Sequence, residues 1–169
     1  GYNDFHAIMN QKYKSREEIV NDYPMIYERY RQAELPPPIA EELRALMEYI
    51  GPTPLIFRSS SLLEDSFATS FAGKYESFFL PNSDTPEENF RAAKDVILKI
   101  YASTLSPDAL IYRQRMGLVD FDERMAILIQ KVEGQRCGPY YFPMIAGVGF
   151  SRNPFRWSFD RATGDLYIG

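Results

Sequence analysis

Within residues 54–80 an apolar run, Leu55-Ile56-Phe57, leads into Arg58, three serines at 59–61 and, after a spacer, the pair Gly73-Lys74. Those residue types in that order suit a phosphate group. Serine hydroxyls and the backbone amides of a small-residue loop can approach phosphate oxygens closely. Arg58 and Lys74 bring the opposing charge, the guanidinium as a two-pronged donor fork. A nucleotide is the first ligand such a stretch suggests. The same residues also have a plain reading, because serine clusters and Ala-Gly pairs are common loop material and an arginine at a strand end is often merely solvated. The two familiar glycine-rich phosphate motifs are missing. The loop holds only Gly73, whereas a P-loop needs Gly-x-x-x-x-Gly-Lys-Ser/Thr and the dinucleotide fingerprint needs Gly-x-Gly-x-x-Gly.

Other reactive side chains are few. Glu64 and Asp65 form an adjacent carboxylate pair, but neighbours in a strand point to opposite faces and in a loop usually only one reaches an ion, so no metal ligand is assigned to them. His6 is the one histidine and Cys137 the one cysteine. That excludes an internal disulfide and a cysteine- or histidine-rich zinc centre, and it disfavours a triad built on an internal imidazole. A lone thiol fits a reducing compartment, with the cytoplasm as the expected location. The net charge of −4 argues against a nucleic-acid partner, which demands a basic face. No apolar run is long enough to span a membrane and no leader peptide is legible. With 45% hydrophobic residues, twelve of them Phe and twelve Tyr, the chain has material for a packed core.

Arg58-Ser59-Ser60, then Glu64-Asp65, then Ser70-Phe71-Ala72-Gly73-Lys74-Tyr75-Glu76-Ser77 resembles the signature of the nucleotide-binding domain of the phosphoenolpyruvate synthase and pyruvate phosphate dikinase family. There the pattern runs roughly Arg-Ser-Ser-Ala-x-x-Glu-Asp, a spacer, then Ser-Phe-Ala-Gly-Gln-x-Glu-Thr. Ser61, Lys74 and Ser77 are departures, standing where Ala, Gln and Thr are common. Three later stretches resemble the family in the same order: 101–117 with its alanine-serine, Tyr112-Arg113 and Gly117 landmarks, 125–132 (Met-Ala-Ile-Leu-Ile-Gln-Lys-Val) and 146–154 (Ala-Gly-Val-Gly-Phe-Ser-Arg-Asn-Pro).

The resemblance implies an ATP-grasp site, in which two α+β lobes enclose ATP. Carried over by position, Arg58 contacts the β- and γ-phosphates and is the catalytic residue, with Ser59 and Ser60 beside it. Ser70, Phe71, Ala72, Gly73 and Lys74 form the loop over the phosphates, and Gln130, Lys131, Val132 and Glu133 form the adenine-side hinge. Magnesium accompanies ATP, its carboxylate ligands lying beyond the stretch equivalent to Asn153-Pro154. The family's N-terminal lysine has no matched position here, Lys12 and Lys14 both being unaligned. The implied reaction passes a phosphoryl group from ATP to a histidine on a separate domain of a longer polypeptide and then to pyruvate. Alternatives are another acceptor, a glucan or antibiotic hydroxyl, and a non-catalytic interaction module that keeps the fold. The start at Gly1 without methionine, and the end at Gly169 where a strand-like run begins, read as a piece of a longer protein whose isolated activity is absent.

Several elements must hold these residues. Ser15 with Glu18 has capping-box spacing and opens a helix that Pro24 is expected to break or kink near Tyr23. After 36–38, all proline, Ile39, Leu43, Leu46, Met47 and Ile50 recur as one buried helical stripe. Leu55-Ile56-Phe57 reads as a buried strand that 75–80 can pair with. Thr85-Pro86-Glu87-Glu88 and Ser106-Pro107 open two more helices, the first with Phe90, Ala93, Ile97, Ile100 and Tyr101 on one side, the second ending at Gly117. Strands are expected at 125–132 and 140–150, with a hairpin across 161–164. Helices and strands alternate without the period of a doubly wound sheet, which makes the fold class α+β. The domain division expected is an N-terminal helical segment, 1–53, packed on a partial nucleotide-binding domain, 54–169.

Overall fold

The computed structural model describes residues 10–64, 73–121, 123–147 and 149. Two compact units divide the chain, Gly1–Val132 and Glu133–Gly169. The first contains a 3-10 turn (Asn10–Tyr13), helices α1 (Arg16–Arg31), α2 (Pro37–Ile50), α3 (Pro86–Ser103) and α4 (Pro107–Arg115), and strands β1 (Leu55–Ser61), β2 (Ser77–Leu80) and β3 (Met125–Lys131). The second contains the strands β4 (Gln135–Cys137) and β5 (Tyr140–Phe142). Mixed helix and sheet, with helices laid on an antiparallel sheet, is the α+β class that the sequence implies.

The three strands of the first unit lie in the order β2-β1-β3, both pairings antiparallel, so that β1 is central. Alternation along β1 sends Leu55 and Phe57, both 0% exposed, to one face and Arg58 to the other. Helix α3 packs on the first face and touches all three strands. The core there joins Leu55, Phe57 and Leu80 to Phe90, Ala93, Val96, Ile97 and Ile100 of α3, with Leu43 and Met47 of α2 behind. Burial of a side chain such as Phe57 or Leu55 stabilises the fold by about 1.5–3 kcal/mol.

Local chemistry starts the helices where the sequence signals them. The Ser15 hydroxyl accepts from the Glu18 amide while the Glu18 carboxylate accepts from the Ser15 amide, and Thr85 with Glu88 does the same at α3. Gly117, at φ +69, closes α4: the Leu118 amide donates to the Arg113 carbonyl and the Gly117 amide to that of Gln114, the pairing that uses up the last free carbonyls.

Three expectations are corrected. Helix α1 is unbroken across Pro24; proline removes a single amide donor, and burial of Ile19 and Ile26 against the neighbouring helices holds the turns on either side of it. The stripe of α2 is narrower than its pattern, since Leu43 and Met47 are buried and Ile50 half-buried while Ile39 and Leu46 are 49% and 39% exposed. The strand expected over 140–150 stops at Phe142, because Pro143 cannot donate to a ladder. It pairs instead with β4 in a tight hairpin whose loop, Gly138-Pro139, has its glycine at φ +62, the first position of a two-residue turn that demands a positive φ. The hairpin expected at 161–164 lies outside the described residues.

Candidate functional site

The sheet face opposite α3 carries the residues able to bind an anion. Register sets Ser77, Arg58 and Leu128 side by side in one row, Phe79, Ile56 and Gln130 in the next, and Ser60 opposite Ala126 in a third. Directly opposed residues share a face, so Arg58, Ser60 and Gln130 stand on one surface. Arg58 is exposed there. Beside it opens a concavity of about 430 Å³ lined by Arg58, Ser59, Ser60, Glu64, Gly73, Tyr75, Ser77 and Leu128. Of the residues anticipated for phosphate binding, Arg58, Ser59, Ser60 and Gly73 are thus brought together. Ser70, Phe71 and Ala72 lie outside the described residues.

Two anticipated residues are turned elsewhere. Lys74 extends over the Tyr112 ring, with Nζ 5.3 Å from its centroid, and lines a separate depression with Tyr23, Glu76, Ser106 and Asp108. Lys131 pairs with Leu55 and therefore stands on the α3 side of the sheet. The Val132 amide donates to the Pro54 carbonyl at 2.9 Å and so continues the β1–β3 ladder. Glu133 begins the second unit and is exposed. The two N-terminal lysines are paired with carboxylates, Lys12 with Asp120 at 3.1 Å and Lys14 with Asp22 at 2.6 Å.

Glu64 has a structural task. Its carboxylate accepts from the Ser59 hydroxyl at 3.1 Å and from the Ser61 amide at 3.2 Å, and its own amide donates back to the Ser61 hydroxyl. Ser61-x-x-Glu64 is thus a capping box at the end of β1, a spacing present in the sequence and not used in reading it. It fixes the turn that follows β1, next to Ser59 and Ser60 in the lining of the concavity. Among the described residues no group of three or more His, Cys, Asp or Glu side chains is gathered for a metal ion.

The 101–117 stretch supports the glycine turn from below. Ser103, 1% exposed, donates its hydroxyl to the Ile100 carbonyl and accepts the Glu76 amide, which ties the end of α3 to the chain leaving Gly73-Lys74. Tyr112 underlies Lys74, and Arg113, buried, donates to the carbonyls of Leu118 and Phe121. Tyr75 is 5% exposed in the wall of the concavity; burial, and then the nearby charge of Glu123, push its phenol pKa up, so the phenol keeps its proton beside the charged Arg58 and Glu64 of the same lining. Gly73 itself has φ +75, which a side-chain-bearing residue adopts only with strain.

A second cavity, about 470 Å³, lies on the helix side among Arg44, Met47, Gly51, Asn82, Asp84 and Phe90. Several of its polar groups are already bonded. Arg44 pairs with Glu87 and stacks on Phe90, Asn82 donates to the Gly51 and Thr53 carbonyls, and Asn89 bonds the Asp84 backbone. Those bonds close the loops at the start of β1 and the end of β2, so size alone does not make this cavity the site.

The arrangement on the Arg58 face offers an anion a guanidinium, hydroxyls and a glycine turn on a rigid central strand. The family comparison agrees with that chemistry. Residues 2–166 match the family model described as the pyruvate phosphate dikinase AMP/ATP-binding domain. A protein of Methanocaldococcus jannaschii, named a probable phosphoenolpyruvate synthase, is 27% identical over 163 residues, covering 94% of this chain and 12% of its own length. A rifampicin phosphotransferase of Streptomyces sviceus is 30% identical over 126 residues, covering 75% of this chain and 13% of that protein. The chain therefore spans about an eighth of the length of these relatives. Since the family model extends over nearly all of its residues, from the first helix through the Arg58 strand and beyond β5, the chain belongs to the AMP/ATP-binding domain family of pyruvate phosphate dikinase.

Proposed function

We propose that this chain is the phosphate-holding portion of an ATP-grasp-type nucleotide site in a cytoplasmic, phosphoenolpyruvate synthase-like dikinase. One observation carries the reading: Arg58, Ser60, Gly73 and Ser77 border one concavity on the sheet face opposite α3. Arg58 contacts the β- and γ-phosphates there and offsets the charge that develops as the terminal phosphoryl group departs. Ser60, with the loop at 70–74, supplies hydroxyl and amide donors, Ser59 being held beside it by its bond to Glu64, and Gln130 borders the base. Magnesium accompanies ATP, and by the family resemblance its protein ligands come from beyond Asn153-Pro154; the Glu64 carboxylate accepts here from Ser59 and Ser61. The acceptor is a histidine on another domain of the longer protein, which passes the phosphoryl group to pyruvate.

A second acceptor chemistry is also supported, because a rifampicin phosphotransferase is among the relatives. In that reading the same ATP site serves an antibiotic hydroxyl, and the choice resides outside this chain. Calorimetric titration with ATP tests the shared part. Arg58→Ala is expected to weaken binding by roughly 10- to 100-fold, the range for a charge-assisted phosphate contact, with Arg58→Lys between it and the wild type. Equal affinity in wild type and Arg58→Ala would remove Arg58 from the site.

A further inference from the structure

The helix-side cavity of about 470 Å³ has no part in the proposed nucleotide site, and its lining has a chemistry of its own. Its floor is apolar: Met47 and Phe90 are each 7% exposed, and Pro52 and Pro86 extend the apolar lining. Its polar lining offers acceptors. Asn82 is 3% exposed, and its amide nitrogen donates to the Gly51 and Thr53 carbonyls at 2.7 and 3.1 Å, which leaves the carboxamide oxygen to accept. Among the described residues no donor meets that oxygen. Glu48 and Asp84 add two exposed carboxylates, neither of them in an ion pair among the described residues. The Asn89 carboxamide is used up on the Asp84 backbone, accepting from its amide and donating to its carbonyl.

Arg44 is the one cation of this lining, and its charge is already countered. Glu87 lies 2.5 Å from it, and its guanidinium covers the Phe90 ring 3.6 Å from the centroid. Two uncompensated carboxylates and a carboxamide oxygen repel a phosphate and suit a cation that donates hydrogen bonds. An ammonium has three donors and no acceptor, one for each of the three groups. A methylene stem behind it would lie on the apolar floor, as lysine stems do on apolar surface. A guanidinium would find the aromatic face it stacks on taken by Arg44.

We propose that the helix-side cavity binds a primary alkylammonium group, a free amine or a lysine side chain presented by another polypeptide, whose N–H donors go to Glu48, Asp84 and the Asn82 oxygen. The proposal is independent of what occupies the Arg58 concavity. Backbone amide shifts are followed by NMR while n-butylammonium, the lysine side chain alone, is titrated into the wild-type chain and into the double variant Glu48→Gln, Asp84→Asn. Both substitutions fall at exposed positions, so the fold tolerates them. Saturable shifts are expected at Gly51, Asn82, Asp84 and Phe90 of the wild type, with binding weakened roughly two- to thirtyfold in the double variant, the combined effect of two solvent-exposed ion pairs. Tetramethylammonium, which has the charge without N–H donors, and butan-1-ol, which has the stem without the charge, are expected to give no saturable shifts there. Equal binding of either control, shifts that do not saturate, or an affinity unchanged in the double variant overturns the proposal. Nα-acetyl-lysine N-methylamide separates the two sources: tighter binding than butylammonium assigns the cavity to a lysine of a polypeptide, and binding no tighter assigns it to a free amine.

Discussion

Phe57 and Arg58 are neighbours in one strand with opposite duties, because the pleat sends one to the core and the other to the open face. Their substitutions should divide accordingly. Phe57→Ala removes a ring that is 0% exposed and is expected to cost about 3–5 kcal/mol, whereas Arg58→Ala, at an exposed position, should stay within about 0.5 kcal/mol of wild type. Denaturant unfolding of both variants checks this, and an Arg58→Ala loss as large as that of Phe57→Ala would make the arginine structural. At this scale the sequence disclosed residue types better than directions. Arg58, Ser60 and Gly73 were readable as a set because they are close along the chain and each has a characteristic chemistry with phosphate. That Lys74 lies on Tyr112, and Lys131 on the α3 side, depends on partners up to 76 residues away in sequence, Leu55 with Lys131 for example, which no local pattern encodes.

Elements were legible wherever their ends carry self-contained chemistry. Ser15 with Glu18, and Thr85 with Glu88, close their capping boxes within four residues, so the signal needs nothing from the rest of the fold. The same geometry carries a pH dependence. Hydrogen bonds first from the Thr85 hydroxyl and then from its amide hold the Glu88 carboxyl below its ordinary 4.5. A lowered folded-state pKa means that this stabilisation is present above 4.5 and is lost as pH falls through the depressed value. Thermal melts across that interval should show a shallower acid dependence for Glu88→Gln than for wild type; identical slopes would count against the box as an acid-sensitive cap. Where burial decides, local pattern was a poorer guide. Ile39 and Leu46 keep the helical spacing of a core stripe and yet stay exposed, and α1 continues through Pro24 because its flanking isoleucines are buried. The short β4–β5 hairpin was hidden because Gln135, Arg136 and Cys137 have no apolar alternation.

Across the first unit, one side of the sheet is covered by a helix and carries the core, and the other bears the Arg58 concavity proposed for nucleotide. Helix α3 covers one face with an apolar core, and the 101–117 stretch braces the chain leaving Gly73 through Ser103. A class of α+β followed from the irregular alternation of elements, but the order β2-β1-β3, which makes the Arg58 strand central, did not, since β3 reaches β1 across both α3 and α4. In the proposed function nucleotide phosphates sit on the Arg58 face. Mapping of backbone amide shifts by NMR during ATP titration distinguishes this site from others, since the Arg58 concavity and the helix-side cavity are each lined by assignable amides. Phosphate bound there gives the largest shifts at Arg58, Ser60, Gly73, Ser77 and Leu128. Shifts gathered instead at Arg44, Gly51, Asn82 and Phe90, around the helix-side cavity, would contradict it.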